Sequence, residues 1–404
     1  SVNWQTTPKT STFTAVSGEG YFINSGSAIT ANLPAGSAGA IVAFSDYARN
    51  FATYNLTISP NGSEKIGGIA QDAALNIDGQ AATFVYVDST KGWINVQNAE
   101  DTEQGSSFIS ATGGNATLTN GDFKTHIFTG PGTFCVSGGN GGLAVAEYAV
   151  VAGGGGVNQY SGGGGGGFRT TVFSCVPSPT TSPNGSPTKL SIVPGTFPVT
   201  VGGGGSTQMT QGSSSVFSTI VSAGGGGGKG SPNGVGQDGG SGGGGRGAPS
   251  FPGTGFSGGS GNTPSVTPPQ GNPGGKGWDG LVANTQGGGG GGAGAAGTDA
   301  ANSAGGTGGV GDFVADTVFG PTAPSYGTPG PTSSVRYFAG GGGGATNSSP
   351  TTVYPGGSGG GGNGGGPSPG TAGATNTGGG GGGGTAINDR AGGSGIVIIR
   401  YKFQ

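Results

Sequence analysis

Runs of four to seven consecutive glycines recur through the last two thirds of this 404-residue chain. Glycine has no side chain to bury and loses more backbone entropy on folding than any other residue, so a single run is expected to be flexible linker. The question is whether repeated runs can build an ordered structure. Seven of them are Gly153–Gly156, Gly162–Gly167, Gly202–Gly205, Gly224–Gly228, Gly287–Gly292, Gly340–Gly344 and Gly378–Gly384.

A short β-branched or aromatic segment leads into several of these runs. Such segments are "AEYAVVA", "FPVTV", "SVFSTIVSA" and "VRYFA", and "GIVIIRYKF" follows the last run. A linker would not need the same strand-like lead so often, which favours order. Glycine can form polyproline-II helices of three residues per turn. Without side chains these helices can pack at backbone distance, with N–H and C=O groups bonding to neighbouring helices. We therefore predict that Gly287–Gly292 and Gly378–Gly384 lie in one bundle; disorder there would instead make the region a linker.

The first 110 residues hold only 11 of the 104 glycines and have the pattern of an ordinary domain. Short alternating segments separated by turn sequences such as "SPNGS" predict strands. These segments are 12–16, 20–24, 27–33, 40–48, 54–59, 73–77, 82–88 and 92–97.

The predicted fold class is therefore all-β, in three parts. Residues 1–98 form a β-sandwich or jelly-roll, 99–120 a polar hinge, and 121–404 a glycine-rich domain of packed polyglycine-II helices joined by short strands. "FKTHIF" and "GTFCVS" are predicted to form a hairpin over "TGPG".

Composition argues against several function classes. A net charge of −3 gives no basic footprint for nucleic acid. No apolar run approaches ~18 residues, so we expect no membrane insertion. The opening "SVNWQTTPKT" has no charged and apolar signal segment, so we expect no secretion signal.

Catalytic and metal-binding patterns are also missing from the sequence. The one histidine, His126, alternates within a strand-like segment and is interpreted as structural. "AGGGGGKGS" resembles a phosphate-binding loop but lacks its first glycine and the Ser or Thr after the lysine. We expect no enzyme activity, no metal and no cofactor. Cys135 and Cys175 could form a disulfide or remain free.

The segments between glycine runs are rich in Pro, Ser and Thr and carry isolated aromatic residues. Aromatic side chains on loops of a rigid scaffold suit recognition of carbohydrate or protein. The alternative is that they cover the ends of the glycine helices. The candidate receptor-binding residues are Tyr160, Phe251, Phe256, Trp278, Tyr326 and Tyr354.

At "YAVVAGGGG", "PVTVGGGG", "SVFSTIVSAGGGGG" and "GGSGIVIIRYKF" the chain resembles the glycine-rich domains of bacteriophage tail-fibre and adhesin proteins. In the tail-tip adhesins of T-even-like phages, polyglycine-II helices present receptor-binding loops. The block "TFTAVSGEGYFINSGSAITANLP" resembles a β domain that begins marine-phage structural proteins.

The resemblance implies a virion fibre assembled in the host cytoplasm. Residues 1–98 would hold other virion proteins, and the loops would bind a host-surface glycan or outer-membrane protein. Phage fibres are commonly homotrimers, although a glycine bundle can also complete itself within one chain.

The same sequence features are compatible with other functions. A capsid-mounted decoration or head fibre fits the same resemblance, because the N-terminal block does not say which part of the particle it grips. A cell-made extracellular filament fits the glycine content without any phage. A depolymerase would need a pair of acidic residues in a cleft-like pattern, which the sequence does not offer.

Overall fold

Nearly all regular structure in this computed structural model is β-strand, as predicted. Short alternating segments bury one face each, which is the condition for a half-buried strand. The structure describes residues 2–97, 107–206, 210–229, 234–247, 255–279, 285–347, 352–365, 369–384 and 390–404. The first nine strands are β1 Asn3–Lys9, β2 Phe13–Thr14, β3 Glu19–Ile23, β4 Ile29–Asn32, β5 Ile41–Asp46, β6 Leu56–Ser59, β7 Ala73–Leu75, β8 Ala81–Asp88 and β9 Gly92–Asn95.

Fifteen further strands follow within the described ranges, and many are only two to four residues long. They are β10 Ser107–Thr112, β11 Ala116–Asn120, β12 Phe123–Phe128, β13 Gly132–Asn140, β14 Val145–Val151, β15 Phe168–Thr170, β16 Leu190–Ser191, β17 Gly195–Thr200, β18 Ser215–Phe217, β19 Ile220–Ser222, β20 Trp278–Asp279, β21 Thr285–Gln286, β22 Asp312–Ala315, β23 Val335–Phe338 and β24 Ile396–Lys402. A four-residue helix, α1, spans Asp316–Phe319, and single 3-10 turns span Gly141–Leu143 and Gly320–Ser325. Among the described residues no helix has the length and apolar character needed to span a membrane.

The chain divides into two compact units. The first consists of Ser1–Ser110, Val136–Val145 and Ile192–Pro194, and the second of Ala111–Cys135, Ala146–Ser191 and Gly195–Gln404. Two short segments from beyond the predicted hinge therefore belong to the first unit.

Two facing sheets form the N-terminal sandwich. The sheet orders are β1-β3-β5-β8-β9 and β2-β4-β6-β7. One apolar core joins residues from both sheets, with Phe44 and Phe84 from the first and Leu56 and Ile58 from the second. All eight predicted strands are present; β1 was not predicted, because its burial pattern has no clean alternation.

The jelly-roll alternative is wrong, because jelly-roll neighbours are antiparallel. Here β1, β3 and β5 are parallel neighbours, and so are β2, β4 and β6. From β1 to β6, successive strands lie alternately in the two sheets. Each new strand therefore runs parallel to the previous strand of its own sheet. Sequence alternation reports which side of a strand is buried, not which strand lies beside it.

Two further predictions need correction. The polar segment 99–120 was predicted as a hinge, but where it is described, from residue 107, it contains strands β10 and β11. The predicted hairpin of β12 with β13 is also wrong. β12 lies between β11 and β24, whereas β13 lies between β10 and β17. β12 instead forms a hairpin with the preceding strand β11 and pairs on its other edge with β24, which buries residues 125–128.

The last strand is central to the second unit. Its sheet has the order β11-β12-β24-β14-β15, with β16 also paired to β14. β24 is buried along Ile396–Tyr401 and contributes Ile396 and Ile398 to the core below the glycine runs. The closing strand therefore ties residues near 123–128 and 145–151 to the end of the chain.

Candidate functional site: the loop end of the glycine bundle

The glycine runs of the second unit hydrogen-bond to one another with a period of three residues. In Gly162–Gly167, amides three residues apart donate to the same neighbouring run, so successive amides point to three different neighbours. The pairs are Gly162 and Gly165 to Gly288 and Gly291, Gly163 and Gly166 to Gly381 and Gly378, and Gly164 and Gly167 to Gly226 and Ala223, all at 2.7–3.0 Å. Three residues per turn is the periodicity of the polyproline-II helix that glycine can adopt.

The two runs that lacked a predicted leading strand lie in this same bundle. Gly287–Gly292 and Gly378–Gly384 do not bond to each other, but each bonds to Gly162–Gly167 and to Gly340–Gly344. For example, Gly290 N donates to Gly342 O, and Gly380 N donates to Gly340 O. Strand β21 does lead into Gly287, although its two residues gave no visible pattern. The two runs are therefore ordered in one bundle, as predicted, but they share neighbouring runs and do not lie side by side.

Backbone contact explains why the runs contain only glycine. An ideal Cβ on Gly163 would lie 2.2 Å from the carbonyl oxygen of Gly155, and one on Gly290 would lie 1.9 Å from that of Gly163. The glycine hydrogen that occupies this direction instead points at the carbonyl oxygen, which adds a weak Cα–H···O contact to the N–H···O bonds. A methyl group would force the neighbouring backbones apart.

All the runs share two ends, which the hydrogen-bond register identifies. At one end, here called the strand end, Ala152 pairs with Gly167 and Ala293 with Ala339, next to the buried strands. The opposite end is here called the loop end. There Val157 pairs with Arg390, and Gly287 with Ala345.

Four of the candidate aromatic residues lie at the loop end. Tyr160 lies two residues before the run Gly162–Gly167. Trp278 pairs with Gln286 in the small β20–β21 ladder. The Phe256 amide donates to Arg246 O at 2.9 Å. The Tyr354 hydroxyl donates to Ser303 O at 3.2 Å. The fold thus gathers residues that are almost 200 positions apart in the sequence.

The remaining candidates lie elsewhere. Tyr326 is at the strand end, where its ring stacks on Phe319 with centroids 5.0 Å apart and packs against the apolar core. Phe251 lies outside the described residues. Tyr326 is therefore a half-buried residue that packs against the apolar core, and it does not belong to the loop-end group.

The loop-end aromatic rings are more covered than the sequence suggested. Tyr160, Phe256 and Trp278 are half-buried, and Tyr354 is only 7% exposed. The cause is visible at Phe256, whose ring lies against Gly234, where a Cβ would be 2.4 Å from the ring. Because glycine has no side chain, an aromatic ring can pack directly against the backbone of the bundle.

A basic residue that the sequence interpretation missed lies among these rings. The Arg246 guanidinium carbon is 5.3 Å from the centre of the Tyr160 ring, a cation–π distance. Arg246 directly follows the glycines 242–245, and Lys229 directly follows Gly224–Gly228. A cation placed immediately after a glycine run was the signal available in the sequence.

The predicted structural role of His126 agrees with its surroundings. Its Nδ1 is 2.6 Å from Gly113 O and its Nε2 is 3.1 Å from the Tyr401 hydroxyl, in a buried position beside Phe134. Burial lowers the pKa of the imidazole below its ordinary 6.5, and Lys124 adds to this, against the opposing hydrogen bond to Gly113.

Cys135 and Cys175 do not form the disulfide considered from the sequence, since both are free and exposed. No group of three His, Cys, Asp or Glu side chains in the described part of the chain is placed to hold a metal ion.

Comparison with protein families matches residues 129–402 to the glycine-rich domain family. The match covers well over half of the chain, and it spans every glycine run of the bundle. The chain belongs to this family of glycine-rich domain proteins. No curated protein matches the chain.

Proposed function

We propose that this protein is a non-enzymatic fibre or adhesin of a bacteriophage particle, whose loop end attaches to the host surface. Residues 1–98 would hold the protein on the particle through other virion proteins. The glycine bundle would act as a rigid stalk, and the connections at its loop end would contact a glycan or an outer-membrane protein.

The observation that carries this proposal is the segregation of the bundle into two different ends. Buried strands and an apolar core occupy the strand end, whereas aromatic and basic residues from distant parts of the sequence meet at the loop end. Because the helices are fixed to one another by backbone bonds, changes in a connection do not disturb the scaffold. Such an arrangement suits a surface that must vary in sequence while its support stays constant.

Immunogold labelling tests this proposal on particles of a phage that encodes the chain. We expect antibody to the second unit to label the tail in a few copies per particle. Labelling spread in many copies over the head would replace the tail assignment with a capsid fibre. Particles without label, together with purified protein that polymerises alone, would overturn the virion proposal in favour of a filament.

A further inference from the structure

Arg246 lies among several chain segments that meet at the loop end. Its backbone bridges to Gly287, its carbonyl accepts from Phe256 N, and its side chain lies over the Tyr160 ring. Gly277, the residue before Trp278, packs so closely that a Cβ there would be 2.1 Å from the Arg246 carbonyl carbon. Arg246 thus contacts three chain segments that carry aromatic residues, with its guanidinium on the Tyr160 ring and its backbone against the other two.

One polar atom of this guanidinium and one on the residue before Tyr160 have no hydrogen-bond partner among the described residues. They are Nε of Arg246 and Oε1 of Gln159, and both are shielded from solvent. A buried polar group without a hydrogen-bond partner destabilises the fold. Gln159 is the neighbour of Tyr160 in sequence, so a donor and an acceptor lie on the two segments that the cation–π contact joins.

Among the side chains that the structure describes at the loop end, cations outnumber anions, while the sequence also has Asp279 after Trp278 and Asp389 before Arg390. Of the described side chains there, Lys229, Lys276, Arg246 and Arg390 are cationic, whereas Asp299 is anionic and accepts a bond from Lys276 N at 2.6 Å. No described carboxylate lies within 4.0 Å of Arg246 or Lys229. Asp238 lies farther along the bundle, where it accepts from Ser260 N.

We propose that the loop end binds an anionic polysaccharide, with Arg246 receiving its carboxylate or phosphate groups. A guanidinium presents planar paired donors that match either group. Aromatic side chains give apolar surface for sugar rings. This inference rests on the proposed attachment function and specifies the chemistry of the receptor.

The test measures binding of the full-length chain to three immobilised polysaccharides by biolayer interferometry. Alginate carries carboxylates, a phosphomannan carries phosphates, and dextran is neutral. The test variant is Arg246→Gln. Its matched control is Arg169→Gln, which removes the same charge from half-buried Arg169 at the strand end. Lys229→Gln is a second test variant, and a thermal melt of each protein verifies folding.

We expect binding to alginate or to phosphomannan, with the bound polymer identifying the anionic group, and no binding to dextran. Arg246→Gln should weaken binding at least tenfold and Lys229→Gln severalfold, whereas Arg169→Gln should stay within twofold. Binding should also weaken as salt is raised from 50 to 300 mM, because screening acts on exposed charges.

Equal binding to dextran, no binding to either anionic polymer, or folded Arg246→Gln protein that binds like the wild type would each overturn the inference. None of these results bears on whether the protein is on a virion, which the labelling experiment decides separately. Virion labelling with no anionic binding would leave the attachment proposal standing and remove this one.

Discussion

At the scale of single residues, the second unit depends on the absence of side chains at defined positions. Its backbones are in contact where other folds have interleaved side chains. Adjacent glycines nevertheless differ in the space that a Cβ would have, because each of the three helix faces meets a different neighbour. In Gly202–Gly205, a Cβ on Gly204 would lie 1.9 Å from Gly392 O, whereas no described atom beyond the chain neighbours lies within 4 Å of one on Gly203.

Gly204→Ala and Gly203→Ala should therefore have opposite effects on stability. Gly204→Ala forces two backbones apart and should lower the free energy of unfolding by about 1–3 kcal/mol, the usual cost of overpacking. Gly203→Ala should raise it by about 0.4–1 kcal/mol, because alanine restricts the unfolded chain. Urea denaturation measures both, and equal effects would contradict backbone contact as the reason for the pure glycine runs.

Buried His126 makes a second residue-scale prediction, about pH. Its folded pKa is lowered, so the unfolded chain binds a proton in a range where the folded chain does not. Stability should consequently be full above about pH 6.5 and should fall as the pH drops from 6.5 toward the lowered folded value. His126 is the only histidine in the chain. His126→Gln should therefore reduce the change in the urea denaturation midpoint between pH 7.5 and pH 5.5. An unchanged slope in that variant would show that another group titrates.

At the scale of elements, β24 carries a buried ion pair into the middle of its sheet. Arg400 faces Glu147 of β14 across the ladder, with Nη1 3.0 Å from Oε2, and both side chains are almost fully buried. Lys189 approaches the other carboxylate oxygen at 2.9 Å. Two residues along the same strand, Lys402 pairs with Asp122 at 3.5 Å on the exposed surface.

Arg400→Met should cost far more stability than Lys402→Met. The first leaves the buried Glu147 carboxylate with Lys189 as its one cationic partner, and removal of one member of a buried pair costs about 3–5 kcal/mol. Exposed pairs contribute about 0–1 kcal/mol. Adding Glu147→Gln to Arg400→Met should recover part of the loss. Thermal denaturation of the three variants checks this, and similar melting temperatures for Arg400→Met and Lys402→Met would refute it.

At the scale of the whole molecule, the glycine runs are shared structure, since the neighbours of each run come from distant parts of the sequence. Gly162–Gly167 bonds to segments near 225, 290 and 380. An isolated run could not order, because each hydrogen bond contributes only ~0.5–1.5 kcal/mol and glycine's conformational cost is of similar size. Packing lets neighbouring runs satisfy one another.

Hydrogen exchange distinguishes this bundle from a linker. Amides of Gly163–Gly166 and Gly288–Gly291 should exchange as slowly as those of β24, because all are buried and bonded to fixed neighbours. The exposed Gly203 gives an internal comparison and should exchange faster. Mass spectrometry of peptides covering these segments makes the measurement. Rapid exchange throughout the runs would show that they are linker.

Local sequence patterns were enough to predict most of the strands and the order of the glycine runs. Alternating apolar residues identify buried strand faces, and the repeated strand-then-glycine pattern predicted order in the runs. Strand neighbours could be read only from the fold, in which β12 pairs with β11 and β24 and not with β13. It also separated Tyr326 from Tyr160, Phe256, Trp278 and Tyr354, and it added Arg246. The physical reason is that local pattern reports the burial of a residue, whereas partners are chosen by long-range packing. Glycine runs carry no side chains that could encode a partner.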